Sequence, residues 1–252
     1  MLNIAILLVT VVLLITSIYQ IRIVKRVNEK LIKLVSPERD VRRIAKAQSD
    51  AAWEHYRQSE FYAQLLRLLE LSAPIPSTRS WAASPDVLLT LLELSQNSKP
   101  SHILDLGSGM STLVLAKSAP QATIFSIDNS EEFAGKTKKL LETHGVTNVD
   151  VRVAPLKPHA SGVDWYDLSK LGDISNIDLL FVDGPPGSKN PKARHPAVAE
   201  CLSKLNPRAI VVIDDAGRDG EKDMAHEFAK VLPNHRLEFL SHEKGTAVLL
   251  PK

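Results

Sequence analysis

Asp105-Leu106-Gly107-Ser108-Gly109-Met110-Ser111-Thr112 is the stretch whose reading decides the fold. A short β-rich run, Ile103 to Leu106, leads into it, and a helical pattern near Thr112 to Ser118 leaves it. Glycines at 107 and 109 let the backbone turn tightly and approach a ligand with no Cβ in the way. The helix that follows offers free N–H groups to a polar or anionic moiety. A G-x-G pair alone is weak evidence, and its place between strand and helix strengthens it.

Working outward, β-rich runs alternate with helical ones. Thr123 to Ile127, Val149 to Ala154, Ile177 to Val182 and Ala209 to Ile213 are predicted strands. Glu131 to His144, Pro196 to Leu205 and Glu221 to Val231 are predicted helices. This alternation predicts an α/β, Rossmann-like, doubly wound and mostly parallel sheet. His235 to Leu240 and Thr246 to Leu250, joined by a turn at Glu243 to Gly245, add two strands, for seven in all. The third glycine of a dinucleotide G-x-G-x-x-G loop is absent, because Thr112 stands there, which counts against a pyrophosphate-binding fold.

Asp128 ends the second strand, where a carboxylate can accept hydrogen bonds from a ribose diol; the alternative is a cap on the helix near Glu131. Asp183 and the pair Asp214-Asp215 end the fourth and fifth strands. Carboxylates converging at C-terminal strand ends are ligands for a hard cation such as Mg²⁺, or a base with its supporting groups, or caps of loops and helices. The loop Gly184 to His195 carries Lys189, Lys192, Arg194 and His195, a basic stretch able to clamp an acidic substrate. His195, near neutrality in its reference pKa, is a candidate general base, although it also sits at a helix N-cap. Pro155 to Asn176, with Trp165-Tyr166-Asp167, reads as a substrate lid or as an anchored surface loop.

The stretch from about Trp81 to Leu250 resembles the class I S-adenosylmethionine-dependent methyltransferases. More narrowly, it looks like a bacterial group with W-A-A-S-P-D, D-G-P-P-G and I-D-D motifs, here Trp81 to Asp86, Asp183 to Gly187 and Ile213 to Asp215. The resemblance implies that Asp105, Gly107, Ser108 and Gly109 bind the methionine part of the cofactor and that Asp128 holds its ribose. It implies adenine contacts near Ala154 to Leu156. Metal-dependent, catechol-type relatives carry an Asp after strand four and an Asp-Asn pair after strand five, which suggests Asp183, Asp214 and Asp215 as Mg²⁺ ligands, with Asp183, Asp214 and His195 as catalytic candidates. The expected reaction is O-methylation of a small or lipid-linked acceptor. The rival is a non-catalytic Rossmann-like interaction module, against which intact Gly107, Gly109 and Asp128 argue.

The rest of the chain supplies context. In 252 residues there is room for one ordinary domain and an appendage. The single cysteine, Cys201, rules out an internal disulfide and reads as a packing residue. Met1 to Tyr19 has no charged side chain and is apolar, roughly 28 Å as a helix at about 1.5 Å per residue, and predicts a transmembrane anchor over 1–20. Arg22 to Lys46 holds nine Lys/Arg against three acids, so the positive-inside rule predicts a single-pass inner-membrane protein with its catalytic domain, 73–252, in the cytoplasm. Residues 21–72 predict a basic amphipathic helical stalk, able to self-associate or to pack on the catalytic domain. The remainder of the chain is net acidic, which argues against a nucleic-acid partner.

Overall fold

A computed structural model describes residues 2–34, 37–78, 81–187 and 190–252. The chain divides into two compact units, Met1–Glu54 and His55–Lys252. The first holds α1 (Leu2–Leu34) and the start of α2 (Pro37–Leu68), both long helices. The second begins within the expected stalk, since Leu65 and Leu69, from the end of α2 and just after it, are buried in the core of the α/β unit.

The structure corrects the expected membrane anchor and the inner-membrane location built on it. Among the described residues no helix is long and apolar enough to cross a membrane. The run from Thr10 to Ile21, before the first charge at Arg22, gives about 18 Å of helix against a bilayer core of roughly 30 Å. The side chains of residues 2–9, which the expected span also needs, lie outside the described residues.

In the α/β unit, α3 (Pro85–Ser98) leads into β1 (His102–Leu106), α4 (Met110–Ser118), β2 (Thr123–Asp128), α5 (Glu131–Thr143) and β3 (Val149–Val153). A hairpin of β4 (Leu156–Pro158) and β5 (Asp164–Tyr166) follows, then β6 (Ile177–Val182), α6 (Pro196–Leu202), β7 (Leu205–Asp214), α7 (Asp219–Val231), β8 (His235–Leu240) and β9 (Thr246–Pro251). The main sheet has seven strands in the order β3-β2-β1-β6-β7-β9-β8. All pairs are parallel except those made by β9, which runs antiparallel to β7 and β8. This matches the expected mostly parallel, doubly wound Rossmann-like sheet. The hairpin was not expected, because two three-residue strands carry too little alternation to register as a pattern.

The central strands β6 and β7 carry continuous apolar runs, Leu179 to Val182 and Ala209 to Ile213, because both sheet faces are covered there. Along β6, Leu179 and Phe181 face the core beneath α3, α4 and α5, while Leu180 and Val182 face the one beneath α6 and α7. Each of these four side chains is fully buried, worth roughly 1.5–3 kcal/mol apiece. The strand order reverses between β1 and β6, and that switch point opens a crevice beyond the C-terminal strand ends. Register sets the contents of the crevice: Leu106 pairs with Val182 and Val182 with Ile213, so Gly107, Asp183 and Asp214 leave their strands side by side.

Candidate active site

A cavity of about 680 Å³ lies at these strand ends, a size ordinary for a small-molecule site. Gly107, Ser108, Gly109 and Asp128 line one end; Asp183, Arg194, Asp215 and Arg218 line the other. Trp81, Ala82 and Lys244 add a further wall.

The glycine loop fits tightly against its neighbours. Gly107 has φ +111°, and a Cβ there would lie 3.2 Å from the Asp183 carbonyl carbon and 3.3 Å from Gly184 N. Gly109, at φ +155°, would meet nothing within 4 Å, so its face is open to the cavity. Beneath the loop, Asp105 is fully buried. Its Oδ2 accepts from Thr112 Oγ1 at 2.6 Å and Ser126 Oγ at 3.1 Å, and its Oδ1 from Ser111 Oγ at 3.4 Å. Burial still pushes its pKa up to about 7, against the pull of those hydroxyls. Thr112, in the place of a third glycine, also accepts the Gly109 N–H at 3.0 Å. Its side chain therefore fastens the loop from below. Asp105 was expected to touch the cofactor; it does not line the cavity, and it supports the loop that does.

Asp128 is where the sequence placed it, at the cavity wall. Its Oδ2 accepts the Ser108 N–H at 3.1 Å and the Ser108 hydroxyl at 2.6 Å, and its Oδ1 accepts the Ser130 N–H at 2.8 Å. Asp128 thus orders the turn into α5, whose own N-cap is Ser130. Each carboxylate oxygen has more than one lone pair, so acceptor capacity toward the cavity survives. Ala154, in the expected adenine region, is fully buried, and neither it nor Leu156 lines the cavity. Asn129, Ser130 and Phe133, from the β2–α5 turn and the start of α5, line the cavity beside Asp128.

At the other end, the loop after β6 folds back and buries Arg194 to 4% exposure. Its Nη2 lies 3.1 Å from Asp183 Oδ1 and 3.0 Å from Asp215 Oδ2, and its Nη1 lies 3.8 Å from Glu221 Oε1. It also donates to the carbonyls of Pro185 at 3.2 Å and Asp214 at 3.3 Å. Burial works against the guanidinium charge, but Asp183, Asp215, Glu221 and Asp214 together hold its pKa above the ordinary value. Arg218 reaches Asp215 Oδ2 at 2.9 Å from the half-open side. Burial and the neighbouring Asp214 raise the Asp183 pKa well above the carboxylate range, with Arg194 opposing. Burial and Asp215 push Asp214 up to about 6.

Three expectations change here. Asp214 is fully buried and does not line the cavity, its Oδ1 accepting the Asp215 N–H at 2.8 Å. His195 points away, with Nε2 3.0 Å from the Gly220 carbonyl and Nδ1 3.3 Å from Glu227, and it lines a separate cavity between α6 and α7. As a base for chemistry in the main cavity it is misplaced, because the turn into α6 aims the ring at α7. The proposed Mg²⁺ ligands Asp183, Asp214 and Asp215 do not form a metal site either: among the described residues no group of three or more His, Cys, Asp and Glu is arranged to hold a metal ion. Arg194 lies between Asp183 and Asp215.

Tyr166 ends β5, is 2% exposed and lines the cavity, and Trp165 beside it is buried, so the segment read as a lid or as a loop anchored by Trp165 includes a packed hairpin. A Cβ on Gly184 would collide with the Tyr166 hydroxyl, so a glycine is needed where the two meet. Lys189 lies outside the described residues, and Lys192 lines the separate cavity. Asp86 of the W-A-A-S-P-D motif braces the wall of the main cavity, accepting from Ser84 Oγ at 2.6 Å, Gln58 Nε2 at 2.7 Å and the Glu243 N–H at 2.8 Å.

The comparisons with known proteins agree with this geometry. Residues 104–216 match the family model described as a methyltransferase domain. Residues 25–156, just over half of the chain, match that of protein-L-isoaspartate(D-aspartate) O-methyltransferase. No curated protein matches the chain. Among solved structures, the S-adenosylhomocysteine-bound Podospora anserina methyltransferase PaMTH1 is similar at TM-score 0.55 and 15% identity, covering 82% of this chain and 96% of that one. An O-methyltransferase from Bacillus cereus in complex with S-adenosylhomocysteine gives 0.54 and 17%, covering 80% and 97%. TomG from Streptomyces achromogenes, an O-methyltransferase in complex with S-adenosylmethionine, gives 0.52 and 21%, covering 68% and 82%. At these identities the likeness to solved structures is one of fold. Taken with the two family matches, it places this chain in the class I S-adenosylmethionine-dependent methyltransferase family.

Proposed function

We propose that the protein methylates an oxygen of a small-molecule acceptor. The observation that carries this is one continuous cavity with the glycine loop and Asp128 at one end and Asp183 at the other. The Gly107–Gly109 backbone and the first turn of α4 would hold the methionine part of the cofactor. Asp128 would accept from its ribose hydroxyls. When bound, the cofactor supplies a methyl group activated by a sulfonium centre. Asp183 is the residue for proton removal: its carboxyl lines the cavity, and Arg194 fixes one of its oxygens and opposes the burial that favours its protonated form. Tyr166 and Trp81 give the acceptor apolar walls.

The test has two stages. Calorimetry should show S-adenosylhomocysteine binding with one-to-one stoichiometry. Labelled S-adenosylmethionine is then offered with panels of phenols, aliphatic alcohols, carboxylic acids and an isoaspartyl peptide. Methyl ethers survive mild alkali and methyl esters do not, so product stability reports which oxygen is modified. Transfer only to amines, or no S-adenosylhomocysteine binding at all, would overturn the proposal.

A further inference from the structure

The acidic strand ends resemble a hard-cation site in composition and differ from one in what fills them. Three side-chain carboxylates, Asp183, Asp215 and Glu221, face the same guanidinium, and the backbone of Asp214 adds a carbonyl. Arg194 is 4% exposed, so its charge is confined to this cluster. A guanidinium spreads five donors in a plane and keeps its charge at any accessible pH, so it can satisfy several acceptors at once with fixed geometry. Arg218 adds a second positive charge on Asp215.

We propose that Arg194 is a built-in replacement for a divalent cation, and that this enzyme has no metal site at the ends of β6 and β7. The guanidinium already occupies the positions between the carboxylates. A cation bound to Asp183 and Asp215 would stand beside Arg194 and be repelled by it. The charge substitution itself stands on the geometry.

The experiment uses the full chain and Mn²⁺, followed by electron paramagnetic resonance of the free ion. The wild-type protein and Arg194→Lys, which keeps a cation, should bind no stoichiometric Mn²⁺ at micromolar concentrations. Arg194→Met should gain about one equivalent, with thermal stabilisation by Mn²⁺ that the wild type lacks, and Arg194→Met with Asp215→Asn should lose it again. Should Arg194→Met not fold, Arg194→Gln takes its place. One equivalent of Mn²⁺ on the wild type, abolished by Asp215→Asn, would overturn the inference. So would a folded, charge-free variant that gains no ion. S-adenosylhomocysteine binding is measured on the same samples: its absence would count against the methyltransferase reading and leave the Mn²⁺ results to decide the charge substitution on their own.

Discussion

The two ends of the cavity solve the same problem by different means. Both gather carboxylates at C-terminal strand ends, where they repel one another and lose water. At the glycine-loop end, Asp105 and Asp128 are met by neutral donors: hydroxyls of Ser108, Ser111, Thr112 and Ser126 and the N–H groups of Ser108 and Ser130. At the far end, Asp183 and Asp215 are met by arginines. Neutral donors hold a carboxylate in place without cancelling its charge. The loop end therefore holds its acidic groups with neutral hydrogen-bond donors, while the far end pairs them with guanidinium groups.

The harshest way to break this contrast is to disturb the seam between the two ends. Gly107→Ala places a Cβ 3.2 Å from the Asp183 backbone at a φ of +111°, which should cost roughly 3 kcal/mol of stability and abolish measurable S-adenosylhomocysteine binding. Urea denaturation and calorimetry read both. A variant as stable as wild type would show that the seam is loose.

The loop end can be sharpened by pH. Asp105 holds its proton up to about pH 7 when folded and loses it near the ordinary carboxylate value when unfolded. The folded state therefore binds more protons between about pH 4 and 7, and stability falls as pH rises through that window. Asp105→Asn removes this group from the titration. Between pH 5 and 7 the wild type should lose roughly 2–3 kcal/mol more than the variant. Parallel stability profiles for the two proteins would mean that Asp105 is ionised throughout and its hydroxyl partners win over burial. Asp128→Ala tests the same end for function: loss of a charged acceptor should weaken S-adenosylhomocysteine binding by about 2 kcal/mol, roughly thirtyfold. Because Asp128 also accepts from Ser108 and Ser130, the folded stability of the variant must be measured alongside.

What could be read from the sequence divides along the same line. Gly107, Gly109 and Asp128 are consecutive with their strands, and a strand followed by a tight turn fixes where they point. Asp183 was legible for the same reason. Arg194 was not, because its position depends on how the loop from Gly184 folds back, and no periodicity reports on that. Asp105 was misassigned because in sequence it is one residue further from the loop, and in a strand that puts its side chain under the sheet end rather than beyond it. The hairpin that delivers Tyr166 was missed because its two strands are three residues each. The anchor expected over 1–20 shows the reverse error: an apolar run was given a membrane role that the described residues do not support.

The smallest expected effect belongs to His195, and it separates the two ends from everything outside them. Its ring lies against the Gly220 carbonyl at 3.0 Å and Glu227 at 3.3 Å, on the wall of the cavity between α6 and α7. His195→Ala should cost about 1 kcal/mol of stability through the lost hydrogen bond, with the affinity for S-adenosylhomocysteine unchanged. Once an acceptor is in hand, kcat should stay within about twofold of wild type, since general-base assistance, typically a hundredfold or more, is not being removed. The informative comparison is with Asp183→Asn, which keeps the shape and a hydrogen-bond acceptor for Arg194 but removes the base. That variant should lose kcat by at least that hundredfold, with cofactor affinity little altered. If His195→Ala instead lost kcat a hundredfold while Asp183→Asn kept it, the proton would be leaving toward α7. The far end of the cavity would then be a structural clasp with no part in the chemistry.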